Sequence, residues 1–137
     1  MIEPTRRDEN RQRKTVGERK SILVVDDDLP LRGMLSSALR RNGYQVFLAG
    51  DGGEAHRAML LNHPHVILLD LMMPGINGWD FLQKLQESGH LGKVPIIVIS
   101  AHLREDPQAV LEMGVSAILP KPFNLDELLE MVQHLAR

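Results

Sequence analysis

Polar groups interrupt an otherwise apolar pattern at four places in this 137-residue chain. Asp26, Asp27 and Asp28 follow the apolar run 22–25, Asp70 follows 66–69, Ser100 follows 96–99, and the run 117–119 leads into Lys121-Pro122-Phe123. Carboxylates brought together repel one another and raise one another's pKa. A divalent cation resolves that conflict. Mg²⁺ is hard and octahedral, and takes one or two carboxylates together with waters and a phosphate oxygen. A lysine beside it offers a compact, mobile charge for a phosphoryl oxygen, and a serine hydroxyl adds one more hydrogen bond. Phosphoryl transfer runs mainly on positioning and charge neutralisation, so a set this small suffices for it.

The elements that must position these groups are legible in the spacing. The runs 22–25, 46–49, 66–69, 96–99 and 117–119 are rich in Val, Ile and Leu. Those beginning at 22, 66 and 96 are continuously apolar, as parallel strands covered on both faces are. Between the runs, apolar residues recur at three- and four-residue spacing. Leu31, Met34, Leu35, Ala38 and Leu39 predict a helix ended by Gly43, and 54–62 predicts a second. Phe81, Leu82 and Leu85 predict a third, opened by Asn77. A short one spans 109–113 before Gly114, and Leu125 to Leu135 predict the last, capped by Asn124 with Glu127 three residues on. The fold class is therefore α/β: a (βα)5 doubly wound, five-stranded parallel sheet of flavodoxin-like form, with helices on both faces. Ligands of such sheets sit outside the carboxyl ends of the strands, where all four polar groups fall.

The segments LVVDDD, LLDLMMPGINGWDFL, IIVISA and LPKPF resemble the receiver domain of two-component response regulators, over about residues 20–137. Each motif alone is weak. Four in order, each at the end of its own strand, are specific. The resemblance implies that Asp70 is the phosphoacceptor, that Asp27 binds Mg²⁺ directly and that Asp26 holds it largely through water. It assigns the remaining protein ligand to the backbone carbonyl of Met72, the switch hydroxyl to Ser100 and the phosphoryl-binding lysine to Lys121. It also implies a cis Lys121-Pro122 bond, with Pro122 structural, and a loop of Pro74, Gly75 and Gly78 leading into the third helix. The implied partners are a sensor histidine kinase or histidine phosphotransfer domain and a downstream target protein. The implied protein is a phosphoacceptor that assists its own phosphorylation and dephosphorylation, and not an enzyme.

Three positions modulate that expectation. Ile118 stands where the family usually has Tyr or Phe, so no aromatic ring can rotate inward. Met72 and His102 lie two residues after Asp70 and Ser100, where the family tunes water attack on the aspartyl phosphate. An apolar Met72 orients water poorly, and slow self-dephosphorylation is expected. Elsewhere the plain reading prevails. Asp28 and Asp51 read as helix caps. The six histidines are scattered, with His63 and His65 on an apparent surface loop, and Met59, Met113 and Met131 read as core filling.

Composition narrows the class. With 43% apolar and 25% charged residues and no cysteine, the chain reads as one soluble domain without disulfides or thiolate metal sites. No signal peptide or membrane span is present, and a cytoplasmic protein is expected. Residues 1–20 carry seven basic groups against four acidic ones, whereas the whole chain has a net charge of −2. They read as a solvated, disordered leader, and 21–137 as the domain. The leader lacks aromatic residues and an apolar face, which argues against nucleic acid and membrane. The overall expectation is a stand-alone, single-domain regulator, monomeric and able to dimerise when phosphorylated. Two alternatives differ in their chemistry. A small Mg²⁺-dependent phosphatase of the haloacid dehalogenase type would attack with Asp26 of its D-x-D sequence, and a degenerate receiver would only mediate contacts.

Overall fold

The computed structural model of the protein describes residues 19–71, 78–101 and 107–137. Strands and helices alternate as β1 (Ser21–Val25), α1 (Leu29–Arg41), β2 (Gln45–Ala49), α2 (Gly52–Asn62) and β3 (Val66–Leu69), then α3 (Gly78–Glu87), β4 (Ile96–Ser100), α4 (Pro107–Glu112), β5 (Ala117–Pro120) and α5 (Leu125–Leu135). Among the described residues, five parallel strands form one sheet in the order β2-β1-β3-β4-β5. The order reverses between β1 and β3, and that crevice is where the topology favours a ligand.

Side chains alternate across the sheet and so divide the core in two. Leu23, Val25, Ile67, Leu69, Ile96 and Val98 pack under α2, α3 and α4 through Ala55, Met59, Phe81, Leu82, Leu85 and Val110. Ile22, Val24, Val66, Leu68, Ile97 and Ile99 pack under α1 and α5 through Leu35, Leu39, Leu128 and Val132. Each large side chain fully buried this way contributes about 1.5–3 kcal/mol. Coverage on both faces is why the strands lack a polar alternation. The methionines behave as expected: Met59 is buried, and Met113 and Met131 pack against the two clusters.

The helix ends follow their sequence signals. Asp28 caps α1 by accepting the Leu31 N–H at 3.2 Å, Asp51 caps α2 from Glu54 at 2.8 Å, and Asn124 caps α5 from Glu127 at 3.1 Å. Gly43 and Gly114 take positive φ after α1 and α4. The predicted boundaries shift slightly. α2 begins at Gly52, two residues earlier than expected, because Asp51 supplies its cap, and β4 runs one residue on to include Ser100. The expected opening of α3 at Asn77, with Pro74 and Gly75, lies outside the described residues. So does the leader, apart from Arg19 and Lys20.

Candidate functional site

The backbone ladder sets Asp26 and Asp70 side by side. The Asp26 N–H donates to the Ala49 carbonyl at 3.0 Å, and the Asp70 N–H to the Val25 carbonyl at 2.9 Å. Each aspartate thus adds one further rung beyond its strand, straddling the point where strand order reverses. Asp26 is 3% exposed and Asp70 6%, whereas Asp27 faces solvent. One carboxylate oxygen from each of the three lies within 4.8 Å of the others.

Lys121 closes the cluster from β5. Its Nζ donates to Asp26 Oδ2 at 3.2 Å and to Asp70 Oδ2 at 3.3 Å. The other oxygen of Asp26 accepts the Asp28 N–H at 2.9 Å, so both oxygens of this buried carboxylate are satisfied. Burial opposes the charge on Lys121, but the carboxylates of Asp70 and Asp26 outweigh it and hold the ammonium above the ordinary lysine range. The Lys121 backbone N–H donates to the Ser100 carbonyl at 3.1 Å, which ties the lysine to the end of β4, and the Lys121-Pro122 bond is cis. Ser100 is fully buried at that strand end. The arrangement is a compact anionic pocket with one fixed cation on its wall, suited to a divalent metal and an incoming phosphoryl group.

The sequence profile of the response regulator receiver domain matches residues 22–133. The chain belongs to the response regulator receiver family. The response regulator MprA of a Mycobacterium species, strain KMS, is 41% identical over 117 residues, which cover 85% of this chain and 50% of that protein. The chain therefore spans about half the length of the MprA proteins it matches. The receiver domain of Francisella response regulator 1452 superposes with a TM-score of 0.79 at 31% identity, covering 86% of this chain and 97% of that one. The response regulator TrrA of Thermotoga maritima, solved in complex with Mg²⁺ and BeF, superposes with a TM-score of 0.74 at 30% identity over 85% of this chain and 98% of that one. This is a receiver domain of two-component signalling, and no helix among its described residues is long and apolar enough to cross a membrane.

Within this receiver, the structure brings together Asp26, Asp27, Asp70 and Lys121, the four charged groups singled out in the sequence. Ser100 joins them at the same sheet edge. Ile118 does not: it pairs with Val98 on β4 and packs with the cluster under α2, α3 and α4. Pro122 is exposed. Met72 and His102 lie outside the described residues. The structure shows what three supporting residues do. Arg32 Nη1 donates to the Asp26 carbonyl at 3.4 Å, and Glu54 Oε2 accepts the Gly50 N–H at 2.7 Å, together bracing the two loops beside the site. The Asp51-x-x-Glu54 spacing, a capping-box pattern, is a sequence signal for the second. Gly78 is the third. In sequence it matches a family loop; in the structure its role is steric, because a Cβ there would collide with the Asp70 carbonyl and with Leu71 Cα.

Proposed function

We propose that Asp70 accepts a phosphoryl group from the phosphohistidine of a sensor kinase or phosphotransfer domain. The observation that carries this reading is Lys121 Nζ, held at 3.2 and 3.3 Å between Asp26 and Asp70. An Asp70 carboxylate oxygen attacks phosphorus, the P–O bond forms as the P–N bond to the donor imidazole breaks, and the imidazole leaves with the electron pair. Lys121, already charged, turns from the carboxylates to a phosphoryl oxygen without waiting for a proton. Ser100 supplies a hydroxyl to another oxygen. Asp26 and Asp27, with Asp70 and the Met72 carbonyl, are the residues that would hold Mg²⁺. The oxygens of the three aspartates, within 4.8 Å of one another, are close to the roughly 4.2 Å that the opposite corners of a Mg²⁺ octahedron allow. When bound, the ion neutralises charge that accumulates on the transferring group.

The phosphorylated domain then switches its affinity for a target protein in the cytoplasm. With Ile118 on β5 the switch runs through Ser100 without an aromatic ring. With an apolar Met72 the phosphoryl group is long-lived, and a half-life of only seconds in the isolated chain would contradict this. The domain is proposed to act without its own catalytic turnover of substrate, as a monomer that can dimerise when phosphorylated.

Acetyl phosphate with Mg²⁺ tests the reading. Labelling should map to Asp70 and vanish in Asp70→Ala. Full labelling of that variant would overturn the assignment, labelling of Asp26 would favour the phosphatase, and none in the parent chain would leave a contact module.

A further inference from the structure

The opposite edge of the sheet, at the amino ends of the strands, holds a set of basic side chains. There the end of α2 and the segment entering β4 enclose a cleft of about 200 Å³. Its apolar wall is formed by Met59, Leu60 and Val94, its rim by His63, His90 and Lys93, and no carboxylate among the described residues lines it. A cavity of about 150 Å³ suffices to hold benzene.

A helix cap sets the backbone at His63, and a side-chain hydrogen bond holds the ring of His90. His63 terminates α2 at φ 46° and ψ 62°, and among the described residues it is the sole non-glycine at positive φ. Glycine occupies such a cap at lower cost. His90 follows a turn with Gly89 at φ 77°, and its Nδ1 shares a hydrogen bond of 2.7 Å with Ser88 Oγ. Proximity to helix C-termini accounts for basic residues here. It does not account for the apolar wall, nor for a histidine kept where glycine is less strained. Backbone strain retained beside a cleft points to use of the side chain.

We propose that this cleft binds a carboxylate carried on a ring-sized apolar group, with the ring against Met59, Leu60 and Val94 and the carboxylate among His63, His90 and Lys93. The source is either a free aromatic acid or the terminal carboxylate of a peptide ending in an apolar residue. The proposal does not depend on the chemistry at Asp70.

The test uses the full chain and amide chemical shifts. The probes are 3-phenylpropanoate, its primary amide, and an acetylated tetrapeptide ending in phenylalanine. The acid should shift Leu60, His63 and Val94, and the amide should bind about tenfold more weakly because its charge-assisted hydrogen bonds are lost. Tighter binding of the peptide assigns the site to a chain terminus, and tighter binding of the free acid to a small molecule. His63→Gly suits the left-handed cap, should keep Tm at or above the parent value, and should weaken the acid about tenfold. Lys93→Gln gives a second reading that leaves the cap untouched. Equal affinity for acid and amide, parental affinity in both variants, or no shift in these residues overturns the proposal. Acetyl phosphate labelling of Asp70, unchanged in both variants, separates this outcome from any failure at the other edge.

Discussion

At the carboxyl ends of the strands the chain gathers Asp26, Asp27 and Asp70 around one lysine, whereas at the amino ends it sets His63, His90 and Lys93 around an apolar cleft. The two edges are built differently. Asp26 and Asp70 are fixed by the strand ladder itself, so their separation is a property of the sheet. His63 and His90 are fixed by a helix cap and a turn, so their placement is a property of local backbone. Buried like charges need a rigid frame and a counter-charge. An open rim whose His63 and Lys93 are exposed and whose His90 is half-buried needs neither.

The rigidity of the carboxyl edge is most exposed to challenge at Gly78. Gly78→Ala puts a methyl group against the Asp70 carbonyl and Leu71 Cα, where only backbone can give way. A loss of about 3 kcal/mol is expected in urea unfolding, as for an overpacked core, together with impaired labelling of Asp70 and an undisturbed cleft at the other edge. Parental stability would show that the carboxyl edge is softer than its ladder suggests.

Lys121→Met asks whether charge holds that edge together. It leaves the Asp26 and Asp70 carboxylates buried without their cation, and a loss of about 2 kcal/mol is expected in metal-free buffer at neutral pH. Added Mg²⁺ should raise Tm more in this variant than in the parent. An equal rise in both would remove the lysine as the structural counter-charge.

A smaller effect of opposite sign belongs to neither edge. Gly33 lies within α1, and a Cβ added there would meet nothing within 4 Å. Gly33→Ala should stabilise the chain by about 0.5–1 kcal/mol, measured in the same denaturant series, and change neither labelling nor ligand binding.

The smallest effect reads the amino edge by pH. Burial, and then the charge of Lys20, hold the His65 imidazole below its ordinary value of 6.5. His65 Nδ1 accepts the Ser21 N–H at 3.0 Å, which only the neutral ring can do. The folded chain therefore binds this proton less readily than the unfolded one. The contribution is complete above about pH 6.5 and is lost as pH falls through the lower folded value. Tm should show a slight acid-side decline that His65→Gln flattens; an unchanged slope would discount the contact.

The carboxyl edge is more legible in the sequence than the amino edge, for a physical reason. An aspartate that ends a doubly covered strand breaks a long apolar run, and parallel topology sends every such break to one side. Asp26, Asp70 and Lys121 can be grouped from the order of residues alone. Nothing comparable marks His63, whose imidazole matters through a dihedral angle, or Arg32, whose carbonyl partner lies on the neighbouring loop. Ile118 shows the same limit. Its position in β5 is readable, but its packing under α2, α3 and α4 depends on which face the register gives it. Met72 and His102 are readable only through resemblance, and lie outside the described residues.

The amides of Asp26 and Asp70 are bonded to Ala49 and Val25, so neither can take up solvent deuterium until that end of the sheet parts. Their exchange rates make a gauge built into the chain. Isotope uptake at two backbone positions reports how often the β2-β1-β3 seam opens, with no label attached to the side chains that carry the charge.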